Sequence, residues 1–275
     1  MGIKPTVGLT SRDLVFIVKR IGTVGVTART VKDAASLLSI IAGKCPHDSA
    51  TRSIPYDKIP DYTSVCKGTS MKGVRIGIPQ NASRNPDGSI MDDVERTTLV
   101  QTATLLKKAG AEIVEDMEFS DYEQFLHEGE SLKAVWFNSD WKTLFENYVK
   151  NLTSNPQNIH TVSDLIEFTK RCPAEEYDSR GADAFIEARD SLDPADPRVE
   201  EAYRRILKLA VEGGIKGAMD KHRLDTIIMP SSISYSLPGV TGYPIVSVPW
   251  GFYPDDHSPM WNGRHNLLRR GPGTP

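Results

Sequence analysis

Cysteine is scarce in this 275-residue chain: Cys45, Cys66 and Cys172 are an odd number at wide spacings, with no Cys-x-x-Cys pair. That argues against zinc ribbons and thioredoxin-like sites and fits reduced thiols in an intracellular protein. The histidines, His47, His127, His160, His222, His257 and His265, show no metal spacing such as HExxH and read as surface residues. No metal or cofactor is expected. Long apolar runs are missing too, none approaching the ~20 residues of a membrane helix. The opening Met1-Gly2-Ile3-Lys4-Pro5-Thr6 lacks the apolar core of a secretory signal. The expected location is therefore the cytoplasm, with the sequons at Asn81 and Asn151 unmodified. Neither sign of charge dominates, with 33 Lys and Arg against 36 Asp and Glu and a net charge of −3. Without a basic patch, neither nucleic acid nor an anionic membrane is an expected partner.

What is present suits a folded α/β chain. Hydrophobic residues make up 39% of the sequence, enough for one large core or two small ones. Residues 30–42 read as a helix, capped by Thr30 with Asp33, with Val31, Ala34, Leu38 and Ile41 as its buried face and Gly43 as its stop. Residues 44–70 read as a polar connector punctuated by Pro46, Pro55 and Pro60. A strand at 74–78, a helix at 92–109 with Val94, Leu99, Ala103, Leu105 and Leu106 inward, and a strand at 111–114 form a βαβ-like unit. Such a unit favours a parallel crossover.

Residues 119–222 read as a large helical insertion, with stretches near 131–150, 162–171 and 182–191. One more helix is expected from Asp196 to His222, opened by Asp196-Pro197. Buried strands are expected at Asp225–Met229 and Ile245–Val248, each ended by a proline. The expected architecture is a mixed or parallel sheet flanked by helices, a single domain over 1–253, with 254–275 a disordered tail. Ser64-Val65-Cys66-Lys67 matches Ser-x-x-Lys but lacks the Lys-Thr-Gly element that would make it a site. Ser231 and Ser232, after strand-ending Pro230, read as loop hydrogen-bonders.

Four runs, in order over about 250 residues, carry a resemblance. They are Gly2-Ile3-Lys4-Pro5-Thr6-Val7-Gly8-Leu9-Thr10-Ser11-Arg12, Thr23-Val24-Gly25 with Ala28-Arg29-Thr30-Val31-Lys32-Asp33-Ala34-Ala35, Lys72-Gly73-Val74-Arg75-Ile76-Gly77, and Thr241-Gly242-Tyr243-Pro244-Ile245-Val246-Ser247-Val248-Pro249-Trp250-Gly251. Together the set resembles the C-terminal portion of the amidase-signature family and is most similar to its fungal members. Met1-Gly2 with Thr6 also fits a myristoylation pattern, but Gly2 and Thr6 are already required by the first run.

The resemblance implies hydrolysis of non-peptide C–N amide bonds through a serine, a second serine on a cis peptide and a lysine base, in simple-amide or fungal secondary-metabolite chemistry. In the family these three lie N-terminal to the first run. No residue here inherits a catalytic role, and the expectation is a shortened, inactive member. The resemblance assigns Ser11, Arg12, Gly242, Tyr243 and Pro244 to substrate binding, with Tyr243 standing where many members carry a smaller apolar residue. A small amide is the expected ligand of an intact form, and the oligomeric state is left open. Gly22-Thr23-Val24-Gly25-Val26 stands where the family usually has Asp-Thr-Val-Gly-Pro, removing an aspartate anchor. Asp13 to Ile21 also lacks the family's usual pattern. The alternatives are a non-catalytic binding module with exposed sheet edges as contact surfaces, and a fragment of an intact serine amidase.

Overall fold

The computed structural model describes residues 1–68, 70–82, 93–230 and 234–253. Ser231, Ser232 and the expected tail at 254–275 lie outside them. Two compact units divide the chain. One is Met1–Asp13, Arg20–Glu123 and Lys208–Pro275, and the other is Leu14–Lys19 with Gln124–Leu207.

The first unit holds both sheets. Strands β1 (Gly2–Lys4), β2 (Val26–Thr27) and β6 (Ile245–Ser247) form an antiparallel sheet in the order β2-β1-β6. Strands β3 (Arg75–Pro79), β4 (Glu112–Met117) and β5 (Thr226–Ile227) form a parallel sheet in the order β4-β3-β5. The expected βαβ crossover is present, with α2 (Asp93–Lys108) joining β3 to β4. Leu99 and Ala103 of α2 pack with Ile78 under the sheet, beside Ile113, Ile228 and Trp250. Leu105, expected inward, is 65% exposed, and Glu95 is buried instead. Glu95 accepts a hydrogen bond from the Tyr253 hydroxyl at 3.0 Å, which lets a carboxyl stay inside.

Helix α1 (Val31–Ile41) is capped as expected. The Thr30 hydroxyl accepts from the Asp33 N–H, satisfying a donor the first turn leaves orphaned. Its buried face is Ala34, Ala35 and Leu38, whereas Val31 and Ile41 at the two ends are 49% and 38% exposed. The helix outruns what packs on it, so the ends of the apolar stripe reach solvent. Gly43 follows the C-cap Ala42 in positive φ, and its N–H donates to the Leu9 carbonyl. The connector at 44–70 is less featureless than expected. It carries two 3₁₀ turns, Ser49–Ser53 and Tyr62–Val65, each N-capped by an aspartate.

The helix expected from Asp196 to His222 is two: α7 (Pro197–Val211) and α8 (Ile215–His222). Gly213-Gly214 breaks it. A Cβ on Gly214 would lie 2.2 Å from the Ala210 carbonyl oxygen, so the chain turns where a side chain could not fit. His222 is not a surface residue. Its ring is half-buried with Nε2 unpaired, and its carbonyl accepts from the Arg75 guanidinium at 3.1 Å.

In the second unit α3 spans Tyr122–Lys150, starting earlier than the expected 131. It is followed by α4 (Val162–Arg171), α5 (Tyr177–Arg180) and α6 (Asp183–Arg189). Phe145, Val149, Val162, Ile166 and Ala182 are its core. Trp141 stacks on Phe145 and Phe185 at 5.4 and 5.7 Å, with Phe16 edge-on to Trp141 at 5.9 Å. Each such pair adds about 0.5–1.5 kcal/mol beyond burial. Among the described residues no helix is long and apolar enough to cross a membrane.

Candidate functional site

The first and fourth signature runs, some 240 residues apart, form one structure. Gly2, Ile3 and Lys4 pair with Ser247, Val246 and Ile245. The Val7 N–H donates to the Gly242 carbonyl at 3.1 Å. Gly242 itself caps α9 (Ser236–Thr241) in a left-handed conformation at φ 72°. The Lys4 Nζ donates to the Tyr243 carbonyl at 2.8 Å, tying β1 to the turn before β6. Burial lowers the Lys4 pKa to about 8, since a desolvated ammonium is disfavoured. Sequence reasoning missed this lysine. Its place inside the first run was the available signal.

Beside this turn lies a cleft of about 990 Å³. Its apolar wall includes Phe119, Met219, Ile227, Met229, Pro238 and Trp250, with β6 along one side and the β5 segment along another. Polar groups are few: the hydroxyls of Thr226, Ser234, Tyr243 and Ser247, and the charges of Lys216, Asp220, Arg223 and Asp225. An apolar trough with a few placed polar groups suits a small organic ligand. Lys216 is ion-paired to Asp220, whose hydrogen bond raises the lysine's pKa and keeps it protonated.

The five expected binding residues divide. Tyr243 and Pro244 line the cleft. Gly242 sits directly before them, its Cα facing Val7 closely enough that a Cβ would lie 2.9 Å from the valine Cγ2. Ser11 and Arg12 are not among the lining residues. The Ser11 hydroxyl accepts from the Asp13 N–H at 3.2 Å. The Arg12 guanidinium, its side chain 5% exposed, is held by Asp48 through Nε–Oδ2 at 2.8 Å and Nη2–Oδ1 at 2.7 Å. That fork holds the Asp48 carboxyl far below the usual carboxylate range.

The loop after β1 is anchored without the family's aspartate. The Thr10 hydroxyl, 1% exposed, meets the Val24 carbonyl at 2.7 Å and the Thr23 hydroxyl at 3.1 Å. Gly25 lets this loop lie against β1, because a Cβ there would be 2.4 Å from the Ile3 carbonyl oxygen. Ser64 of the Ser-x-x-Lys match stands exposed in the connector's second 3₁₀ turn. Among the described residues no cluster of His, Cys, Asp or Glu could hold a metal.

Comparison with known proteins agrees with this geometry. The family model described as Amidase matches residues 1–240. A protein of Arthroderma benhamiae named "Putative amidase" is 39% identical over 277 residues, covering 100% of this chain and 46% of its own length. The native peptide amidase of Stenotrophomonas maltophilia superposes with a TM-score of 0.78 at 29% identity, covering 92% of this chain and 52% of that one. An amidase family protein of Bacillus anthracis shares the fold, with a TM-score of 0.74 at 21% identity over 94% of this chain and 48% of that one. The chain thus spans about half the length of the relatives it matches.

Proposed function

We propose, from the premise that this chain belongs to the Amidase family, that it forms the wall of an amide-binding cleft and does not hydrolyse amides by itself. The observation that carries the reading is the position of Tyr243 and Pro244. They open the Gly-Tyr-Pro-Ile-Val-Ser-Val-Pro run along the apolar cleft, where the acyl part of an amide would lie. The Tyr243 side chain fills space that a smaller residue would leave open, so it selects for a smaller acyl group.

Amide hydrolysis by a serine needs a base to take its proton, and a lysine base must be neutral. Lys216, which lines the cleft, is kept protonated by Asp220. The Lys4 amine, lowered to about 8, is held on the Tyr243 carbonyl. Neither arrangement serves a nucleophile. In the family the serine, the cis-peptide serine and the lysine occupy motif positions with no counterpart in residues 1–275. A longer polypeptide supplying those positions would hydrolyse a non-peptide amide, either a simple amide or one of fungal secondary metabolism.

The test is ammonia release from a panel of simple and aryl amides by the purified chain. Release at the buffer rate is expected. Release that stops on treatment with a serine-directed inhibitor would overturn the second half of the proposal.

A further inference from the structure

Residues 242–244 open one wall of the cleft and are held from the first signature run. The Val7 N–H donates to the Gly242 carbonyl at 3.1 Å, and the Val7 side chain closes on the Gly242 Cα, where a Cβ would lie 2.9 Å from Cγ2. Lys4 stands opposite Ile245 in the β1–β6 register, and its side chain reaches back to the Tyr243 carbonyl at 2.8 Å. The Tyr243 N–H meets the Thr241 hydroxyl only at 3.4 Å. The lysine bond is thus the short tether on Tyr243, a residue that lines the cleft.

That tether is costly. Desolvation alone moves the Lys4 pKa, down to about 8, and among the described residues no carboxylate offsets the half-buried ammonium. β1 pairs with β2 and β6 through its backbone, so an apolar side chain of similar length would serve the sheet better. A group that costs stability while it fixes one carbonyl is the pattern of a site that trades stability for function. An ammonium-to-carbonyl bond is also stronger than a neutral one, so the turn has little freedom while Lys4 holds it.

We propose that Lys4 is a positioning residue for the acyl end of the cleft: by fixing the Tyr243 carbonyl it fixes where the Tyr243 ring stands, and so sets a size limit that favours short aliphatic acyl groups over aryl ones. The carbonyl carbon is bonded directly to the Cα that carries the ring, so rotation of that peptide moves the ring with it. Without the tether the ring swings off the wall and a larger acyl group enters. The inference rests on the cleft reading above. Hydrogen exchange without any ligand, measured beside binding, separates a failure of one from a failure of the other.

The experiment measures binding of hexanamide and 2-naphthamide to the whole chain by ligand-observed NMR, with amide hydrogen exchange and urea midpoints on the same samples. The parent is expected to prefer hexanamide roughly tenfold, the range one steric wall supplies. Lys4→Met is expected to remove that preference without lowering the urea midpoint at pH 7, and Tyr243→Ala to remove it equally. The two together should do no more than either alone, because they act through one ring. Lys4→Gln, which keeps an N–H donor without the charge, is expected to keep the preference. In Lys4→Met the Tyr243 and Ile245 amides should exchange roughly tenfold faster, with the Ile3 amide of β1 unchanged. The inference is overturned if Lys4→Met binds the two amides as the parent does, if it loosens neither amide, or if its effect adds in full to that of Tyr243→Ala. A parent that binds neither amide overturns the cleft reading and the size limit together, and the exchange rates then still decide whether Lys4 holds the turn.

Discussion

Replacing Asp48 by alanine is expected to destabilise the fold by about 3–5 kcal/mol, the cost of stranding a buried charge. The carboxylate accepts from the Arg12 backbone N–H at 2.9 Å, from its Nε at 2.8 Å and Nη2 at 2.7 Å, and from the Ala50 N–H at 3.1 Å. Hydrogen bonds to charged groups contribute about 1.5–3 kcal/mol each, and the two guanidinium bonds alone reach the same range. Water cannot replace them, because the Arg12 and Asp48 side chains are 5% and 7% exposed. Urea denaturation followed by circular dichroism measures the change. An Arg12→Met/Asp48→Leu pair should recover a large part of it, since apolar groups leave no charge stranded. The acid limb gives a second readout. The folded carboxyl titrates far below its unfolded value near 3.9. Its contribution is therefore present above about pH 4 and lost as pH falls through the folded pKa, and Asp48→Ala should flatten that loss. A cost under about 1 kcal/mol for both Asp48→Ala and Asp48→Asn, the range of solvent-exposed pairs, would refute the reasoning.

Gly25→Ala places a Cβ against the Ile3 backbone carbonyl and should cost about 1–3 kcal/mol in the same denaturation assay. Tyr253→Phe removes the donor to the buried Glu95 carboxyl and should cost about 1–3 kcal/mol, with Tyr253→Leu costing more through lost packing. For Lys4, burial puts the folded pKa near 8, below the unfolded value of about 10.4. The penalty for the buried ammonium is full below pH 8. Between pH 8 and about 10.4 the unfolded chain binds more protons, so stability rises with pH. Urea midpoints over that window should rise less in Lys4→Met than in the parent, and equal slopes would contradict the assignment.

Local elements were legible because their signals are local. Thr30 and Asp33 mark the start of α1, whereas the power of Gly213-Gly214 to split α7 from α8 rests on a close approach to the Ala210 carbonyl that the sequence does not display. The β3-α2-β4 crossover follows from two strands and a helix read within about 45 residues. The inward faces were less legible. A 3.6-residue stripe says which residues share a face, not how far the neighbouring element extends, so Val31, Ile41 and Leu105 came out exposed. The β1–β6 pairing joins positions about 240 residues apart, and neither strand carries a local mark of its partner. Family resemblance put both runs near the pocket but gave no register and no role for Lys4. The Arg12–Asp48 pair was hidden for a related reason. Asp48 lies in a proline-rich polar stretch that reads as solvent-exposed until the fold closes around it. Val246 and Val248, expected inside a buried strand, are 57% and 42% exposed, because burial depends on what packs over a strand, which no strand pattern encodes.

The most direct test of the account is to treat the purified 275-residue chain with a fluorophosphonate that phosphonylates activated serines with loss of fluoride, digest it and map the adducts by mass spectrometry, alongside amide turnover. The account predicts no labelled serine, including Ser234 and Ser247 beside the cleft, and no turnover above buffer. A single serine labelled in proportion to the loss of an amidase activity would contradict it.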